Sequence, residues 1–237
     1  MKSMVKAVLF DLDGTLLPMD QDKFTQEYFG ALSKTMSPYF EPHALVNAVW
    51  AGTKAMVKND GAYSNCDVFW SVFTGIFGAQ ASSDVKYFDA FYATVFPTLR
   101  SHFGFEPRAS QTVERLRAAG KRLVLASNPI FPLAAQQSRV EAAGVDVGAF
   151  EFFTSYENSH YCKPNPLYYT EIVERLGLDP SECLMVGNDA TEDMIARKVG
   201  LDVFLLTDGL INTNNVDVSE FDRGGYDALN TYLDGIL

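Results

Sequence analysis

Asp11 and Asp13 stand two residues apart in Phe10-Asp11-Leu12-Asp13-Gly14-Thr15-Leu16, where an apolar run meets a glycine turn. Both side chains can face one opening from there. A carboxylate can attack phosphorus as a nucleophile, but two neighbouring anions repel each other and an anionic substrate. A divalent cation between them removes that obstacle and orients the phosphoryl oxygens. Hard oxygen ligands favour Mg2+ for that task. The bland alternative, for this segment alone, is an Asp-Gly turn closing a strand.

Three later segments place polar groups in the same way, each after an apolar run. Leu123-Val124-Leu125-Ala126-Ser127-Asn128 ends in a hydroxyl and an amide. Ser127 and the backbone N–H of Asn128 are suited to donating hydrogen bonds to phosphoryl oxygens, although Ser-Asn-Pro is also a common turn. Cys162-Lys163-Pro164 puts a single lysine after a short apolar run and before a helix that starts near Pro166. An ammonium there can neutralise an attacking carboxylate and a phosphoryl group in transfer. Met185-Val186-Gly187-Asn188-Asp189-Ala190-Thr191-Glu192-Asp193 supplies further acids. Asp189 is placed to complete a metal shell, and Asp193 to orient Lys163 or a metal-bound water. An acid-rich helix N-terminus is the competing explanation.

The elements that must carry these groups are legible in the hydrophobic pattern. Val5–Phe10, Arg122–Ala126, Phe152–Thr154, Cys183–Val186 and Val203–Leu206 read as short strands buried on both faces. Amphipathic helical stretches separate the later ones. Glycines Gly120, Gly177 and Gly200 mark helix ends ahead of three of the strands. Alternating helices and buried strands imply a parallel sheet of the α/β class, with ligands at the carboxyl ends of its strands. The stretch from about Asp20 to Arg100 reads as helical throughout. Phe24, Tyr28, Phe29 and Leu32 recur at helical spacing, as do Phe69, Trp70, Phe73, Ile76 and Phe77, and then Phe88, Phe91, Tyr92 and Val95. These stripes are expected to be core. Pro97 to Pro107 is the expected return linker, Asn212 to Asn215 a loop, and the segment around Tyr226, Leu229, Tyr232, Leu233 and Ile236 a final helix.

Composition narrows the function. Of 237 residues, 47% are apolar, which supports an ordinary packed core, and the formal net charge is −11. No basic stripe suggests a nucleic-acid partner, and no apolar run reaches membrane-span length. Met1 to Phe10 is too short for a signal peptide and lacks a small-residue cleavage site, so a cytoplasmic location is expected. Cys66, Cys162 and Cys183 are odd in number and widely spaced, the pattern of reduced thiols. His43, His102 and His160 have no G-x-S-x-G partner, which sets aside Ser-His-Asp hydrolysis. His160 lies close enough to Lys163 in sequence to reach a site mouth, but a packing or surface role is the simpler expectation.

In order, FDLDGTL, VLASN, CKP and VGNDATED resemble the four motifs of the haloacid dehalogenase-like (HAD) superfamily, from Asp11 to Asp193. The resemblance implies a Rossmann-like parallel sheet flanked by helices, with an all-helical cap inserted after the first motif, as in the C1-type phosphatase subgroup. The expected division is a core of residues 1–19 and 101–237 and a cap of residues 20–100. The resemblance makes Asp11 the nucleophile and a Mg2+ ligand. Asp13 becomes the general acid and base, binding the metal through its carbonyl. Ser127 holds the phosphoryl group, with Asn128 and Thr15 as further substrate-binding candidates, and Lys163 stabilises charge. Where the family usually has Asp directly after the glycine of the fourth motif, this chain has Asn188 followed by Asp189. Both are metal candidates, with Asp189 preferred and Asp193 as the second acid.

An acidic residue at position 13 fits phosphate ester chemistry, since an alkoxide leaving group needs a proton. It disfavours a dehalogenase. The expectation is a Mg2+-dependent phosphatase acting on a small phosphorylated metabolite through an aspartyl-phosphate. A phosphomutase of the same fold, or a catalytically silent binding protein, are the alternatives. Lys54, Lys58, Asn59 and Tyr63 are the polar cap residues from which substrate contacts are first sought.

Overall fold

A computed structural model describes residues 4–237; residues 1–3, the start of the segment tested above for a signal peptide, lie outside the described residues. Among the described residues six parallel strands form one sheet. They are β1 (Ala7–Phe10), β2 (Arg122–Leu125), β3 (Phe152–Phe153), β4 (Cys183–Gly187), β5 (Asp202–Leu206) and β6 (Asp222–Gly224), in the order β3-β2-β1-β4-β5-β6. The strand order reverses at β1, so the crevice beyond its carboxyl end is the natural ligand position. Register fixes what meets there. Phe10 pairs with Leu125 on one side and Val186 on the other. The residues that follow these three, Asp11, Ala126-Ser127 and Gly187-Asn188, therefore emerge together.

Side chains alternate across a strand, and β1 uses both faces. Val8 and Phe10 join a cluster with α5 (Pro107–Ala118), α6 (Leu133–Ala142) and α8 (Tyr226–Asp234). Ala7 and Leu9 face the opposite way, against α7 (Pro166–Leu176). This is a Rossmann-like α/β fold. The expected strands are present. The sixth, β6, carried no sequence signal because Asp222 and Arg223 are exposed edge residues. Gly177 ends α7 with a left-handed turn whose N–H reaches Val173 and Glu174. Gly200 follows a 3-10 turn, Met194–Val199, rather than the α-helix its position suggested.

Between β1 and β2 the chain builds α1 (Gln21–Met36), α2 (Pro42–Val57), α3 (Asn65–Phe77) and α4 (Val85–Thr94), with no strand among the described residues there. Asp20, Glu41 and Ser64 cap the first three by accepting backbone N–H groups that the first turn leaves unpaired. The aromatic stripes pack these helices together, as expected of Phe24, Leu32, Phe73 and Phe91. Ile76 departs from that expectation and is 51% exposed, because Phe77 takes the inward position one residue on. The return linker opens with a 3-10 turn, Phe96–His102, and Gly104 then donates to the Pro18 carbonyl at 2.8 Å. Far from that crossing, Asn65 is fully buried at the start of α3. Its side-chain amide donates towards the carbonyls of Pro129 (3.3 Å) and Tyr161 (3.5 Å) and the Cys162 sulfur (3.4 Å). No described helix is long and apolar enough to cross a membrane.

Candidate active site

Asp11 leaves β1 with its N–H bonded to the Val186 carbonyl, and the neighbouring strand returns a bond from the Ala126 N–H to Phe10. This double anchoring points the carboxylate into the crevice. Lys163 arrives from the loop before α7, with 1% of its side chain exposed, and donates to Asp11 Oδ1 at 2.8 Å and Asp193 Oδ1 at 2.6 Å. Burial works to strip the lysine of its proton, but the Asp11 and Asp193 carboxylates outweigh it and hold the ammonium well above the usual lysine range.

Asp193 is held at both ends, since its Oδ2 accepts the Asp189 N–H at 2.8 Å. Gly187 makes that approach possible: a Cβ there would sit 2.2 Å from Asp193 Oδ2. Asp193 is thus the partner of Lys163, the first of its two expected roles. Asp189 turns Oδ1 onto the N–H groups of Thr191 and Glu192, at 2.7 and 2.8 Å, and keeps its other oxygen free of hydrogen bonds among the described residues.

Asn188 engages both ends of its amide. Nδ2 donates to the Gly209 carbonyl at 2.7 Å, and Oδ1 accepts the Thr15 hydroxyl at 2.8 Å. A carboxylate at this position would face the Gly209 carbonyl as a second acceptor, which is a physical reason for the amide. The same contact turns the Thr15 hydroxyl towards Asn188 rather than into the crevice. Gly14, at φ +87°, makes room for Asn188: a Cβ would lie 2.3 Å from its amide nitrogen.

Ser127 lines the crevice, and its hydroxyl makes no hydrogen bond among the described residues. Its carbonyl is fixed by the Thr154 hydroxyl at 2.7 Å and the Tyr168 hydroxyl at 2.9 Å. The Asn128 side chain donates to Glu192 at 3.2 Å. Burial among the Asp189, Asp193 and Asp11 carboxylates lifts Glu192 to about 7, against the opposing pull of Lys163.

Asp13 has a partner that the sequence reading did not name. Arg139, almost wholly buried on α6, pairs with Asp13 Oδ2 and also with Gln136 Oε1. Asp13 Oδ1 is buried without a hydrogen-bond partner among the described residues. Burial lifts the Asp13 carboxyl above the usual range; Arg139 opposes this and the Asp11 carboxylate adds to it. A signal for Arg139 and Gln136 was present in the helical register. Both fall on the face that Ala135 and Val140 bury, where polar residues need a reason to be.

These groups form one end of a cavity of about 320 Å³ whose other end lies among the helices before β2. Phe24, Tyr28, Phe69 and Phe88, expected as core, line it as well as packing the helices. Lys54, Lys58 and Tyr63 are exposed and stand outside the lining. Asn59 instead bonds to the Tyr63 carbonyl and to Asn65. His160 also stays outside, bonded to Glu171.

Residues 5–200 match the family model for haloacid dehalogenase-like hydrolases. The chain is 28% identical over 237 residues to a phosphoglycolate phosphatase of Vibrio vulnificus (strain YJ016), spanning 98% of this chain and 96% of that relative. It is 27% identical over 233 residues to a glyceraldehyde 3-phosphate phosphatase of Methanothermobacter thermautotrophicus, spanning 92% and 96%. The solved structure of a predicted phosphoglycolate phosphatase from Haemophilus somnus 129PT superposes with a TM-score of 0.59 at 20% identity. It covers 98% of this chain and 99% of that one, which shows a common fold.

Proposed function

This chain belongs to the haloacid dehalogenase-like hydrolases, and on that premise we propose that it hydrolyses phosphate monoesters through a phosphorylated Asp11. The observation that carries the reading is the buried Lys163 ammonium shared by Asp11 and Asp193, two carboxylates that line a cavity together with Asp13. The relatives named for phosphoglycolate and glyceraldehyde 3-phosphate support the same class of reaction. Residues 20–100 are proposed as a cap over a core of residues 1–19 and 101–237, and the cytoplasm as the setting.

The donor set fits a hard divalent cation. Asp11 and Asp189 each keep one carboxylate oxygen without a hydrogen bond among the described residues. No group of three or more His, Cys, Asp or Glu side chains among them is arranged to enclose a metal. Mg2+ is commonly bound by one or two carboxylates and keeps several waters. Asp11, Asp189 and the Asp13 carbonyl would hold it. Asn188 and Asp193 would act behind them, because their side-chain atoms are already engaged. When bound, Mg2+ would neutralise charge between Asp11 and the phosphoryl group.

The chain's own residues do the rest. Lys163 orients Asp11 through Oδ1 and draws off charge as the phosphoryl group arrives. A bond forms from Asp11 to phosphorus as the ester P–O bond breaks. Asp13, whose carboxyl burial pushes above the usual range, gives a proton to the departing alkoxide. It then takes a proton from the water that attacks the aspartyl-phosphate, releasing inorganic phosphate and restoring Asp11. Ser127 and the Asn128 N–H donate to phosphoryl oxygens.

Hydrolysis of para-nitrophenyl phosphate, with and without Mg2+, tests this. Turnover is expected with the cation, a phosphorylated protein is expected on acid quenching, and Asp11→Asn is expected to abolish both while retaining the fold. Near-normal turnover by that variant would rule out the covalent route.

A further inference from the structure

The cavity that ends on Asp11 and Asp13 has a wall unsuited to a charged or polyhydroxy leaving group. Much of its wall is built from rings: Phe24 and Tyr28 of α1, Trp50 of α2, Phe69 and Trp70 of α3, and Phe131 before α6. They pack on one another, Tyr28 on Phe131 at 5.5 Å between centroids and Phe69 on Trp70 at 5.3 Å.

Four hydroxyls among them already hold a partner, whereas the Gln21 amide and the Trp50 indole N–H in the lining hold none among the described residues. Tyr28 and Tyr92 bond each other through their hydroxyls at 2.8 Å. The Thr53 hydroxyl donates to the Val49 carbonyl at 2.9 Å, and that of Thr25 to the Gln21 carbonyl at 2.8 Å. A sugar or glycerol moiety entering here would give up water and find few free partners.

A second anion is worse placed. Among the described lining residues Arg139 is the one Lys, Arg or His. Its Nη1 and Nη2 are committed to Asp13 and Gln136, and the guanidinium lies 4.8 Å from the Phe131 ring centre. Asp11, Asp13, Asp189, Glu192 and Asp193 line the same cavity. A carboxylate on the leaving group would be stripped of water, meet no free cation and face these acids.

We infer that the substrate is the phosphate monoester of an uncharged, apolar, ring-bearing alcohol, whose ring lies among Tyr28, Trp50, Phe69 and Phe131 while its phosphate meets Asp11. The inference rests on the phosphatase reading above and names the substrate class of that site. Stacking and burial of one ring supply the discrimination.

Three primary alkyl phosphates, chosen so that leaving-group basicity does not decide the order, test it: 2-phenylethyl phosphate, glycerol 3-phosphate and phosphoglycolate. With Mg2+, kcat/KM for the first is expected to exceed the other two by at least roughly thirtyfold, the scale of burying one aromatic side chain. Thr53→Lys, which sets an ammonium in the wall, is expected to narrow the gap to phosphoglycolate by at least about tenfold. Calorimetry gives a readout independent of turnover, using the unreactive analogues 3-phenylpropylphosphonate and 3-phosphonopropionate with Mg2+. The phenyl compound is expected to bind more tightly.

Equal or better turnover of glycerol 3-phosphate or phosphoglycolate would overturn the inference and leave the phosphatase reading standing. Absence of turnover with every ester, para-nitrophenyl phosphate included, would sink the phosphatase reading. The order of phosphonate binding would then decide the cavity's preference by itself, and tighter binding of 3-phosphonopropionate would overturn it.

Discussion

Arg139 and Asp13 form an ion pair across the floor of the cavity in which the arginine side chain is 1% exposed and the aspartate 19%. Removing one partner of such a pair leaves an uncompensated buried charge. Arg139→Met is therefore expected to lower stability by about 3–5 kcal/mol in urea unfolding. Arg139→Lys should recover part of the loss, since an ammonium restores the charge without the two-ended grip on Asp13 and Gln136. In the double variant with Asp13→Asn the loss should fall well short of the sum of the two single losses. Strict additivity would show that the pair carries no coupling.

Lys163→Met leaves Asp11 and Asp193 buried together without their shared cation. Turnover is expected to fall at least about a hundredfold, and stability at pH 7 by about 3–5 kcal/mol. The Lys163 pKa is raised in the fold. Its contribution is therefore complete below the ordinary lysine value of about 10.4 and is lost only as pH rises through the higher folded-state value. The stability difference between wild type and variant should not shrink from pH 7 to 10. A difference that vanished by pH 9 would contradict the pairing.

Glu192 titrates the other way. Its folded value of about 7 lies above the ordinary carboxylate range. The fold therefore takes up a proton there, and the cost of ionising Glu192 grows as pH rises from about 4 to 7. Glu192→Gln should stabilise the protein by on the order of 2 kcal/mol above pH 7, in the presence of a chelator, and by little at pH 4. The Gln carbonyl can still accept from Asn128. A variant that is no more stable than wild type at pH 8 would refute the raised value.

Gly14→Ala combines a left-handed backbone position with a contact against Asn188 of 2.3 Å. The backbone term alone is about 1–2 kcal/mol. A total loss of at least about 2 kcal/mol is expected by thermal or urea unfolding, and displacement of Asn188 should release Thr15 and Gly209 as well. A loss below 1 kcal/mol would mean that the turn can rearrange freely.

The sheet was readable because β1, β2, β4 and β5 are buried on both faces, so their apolar runs stand out without alternation. β6 was not, because an exposed edge strand needs no apolar residues. In the site, Asp11 and Lys163 could be paired from sequence because Asp11 ends β1 and Lys163 lies in the connection that follows β3, and a parallel sheet brings both to its carboxyl edge. Arg139 reaches Asp13 from the last turn of a helix 126 positions away, and only the fold makes that meeting. The aromatic stripes show a different limit. Helical spacing says which residues turn inward, but it does not say whether they meet another ring or an empty space. Phe24 and Phe69 do both.

Asn65 fastens the start of α3 to the carbonyl of Tyr161 and the sulfur of Cys162, the two residues just before Lys163. The helices that roof the cavity therefore share a rivet with the loop that steadies the nucleophile. Lifting the roof at that corner would tug Lys163 along its own chain. Trp50, which lines the same cavity with its ring half in water, makes no hydrogen bond to that loop among the described residues.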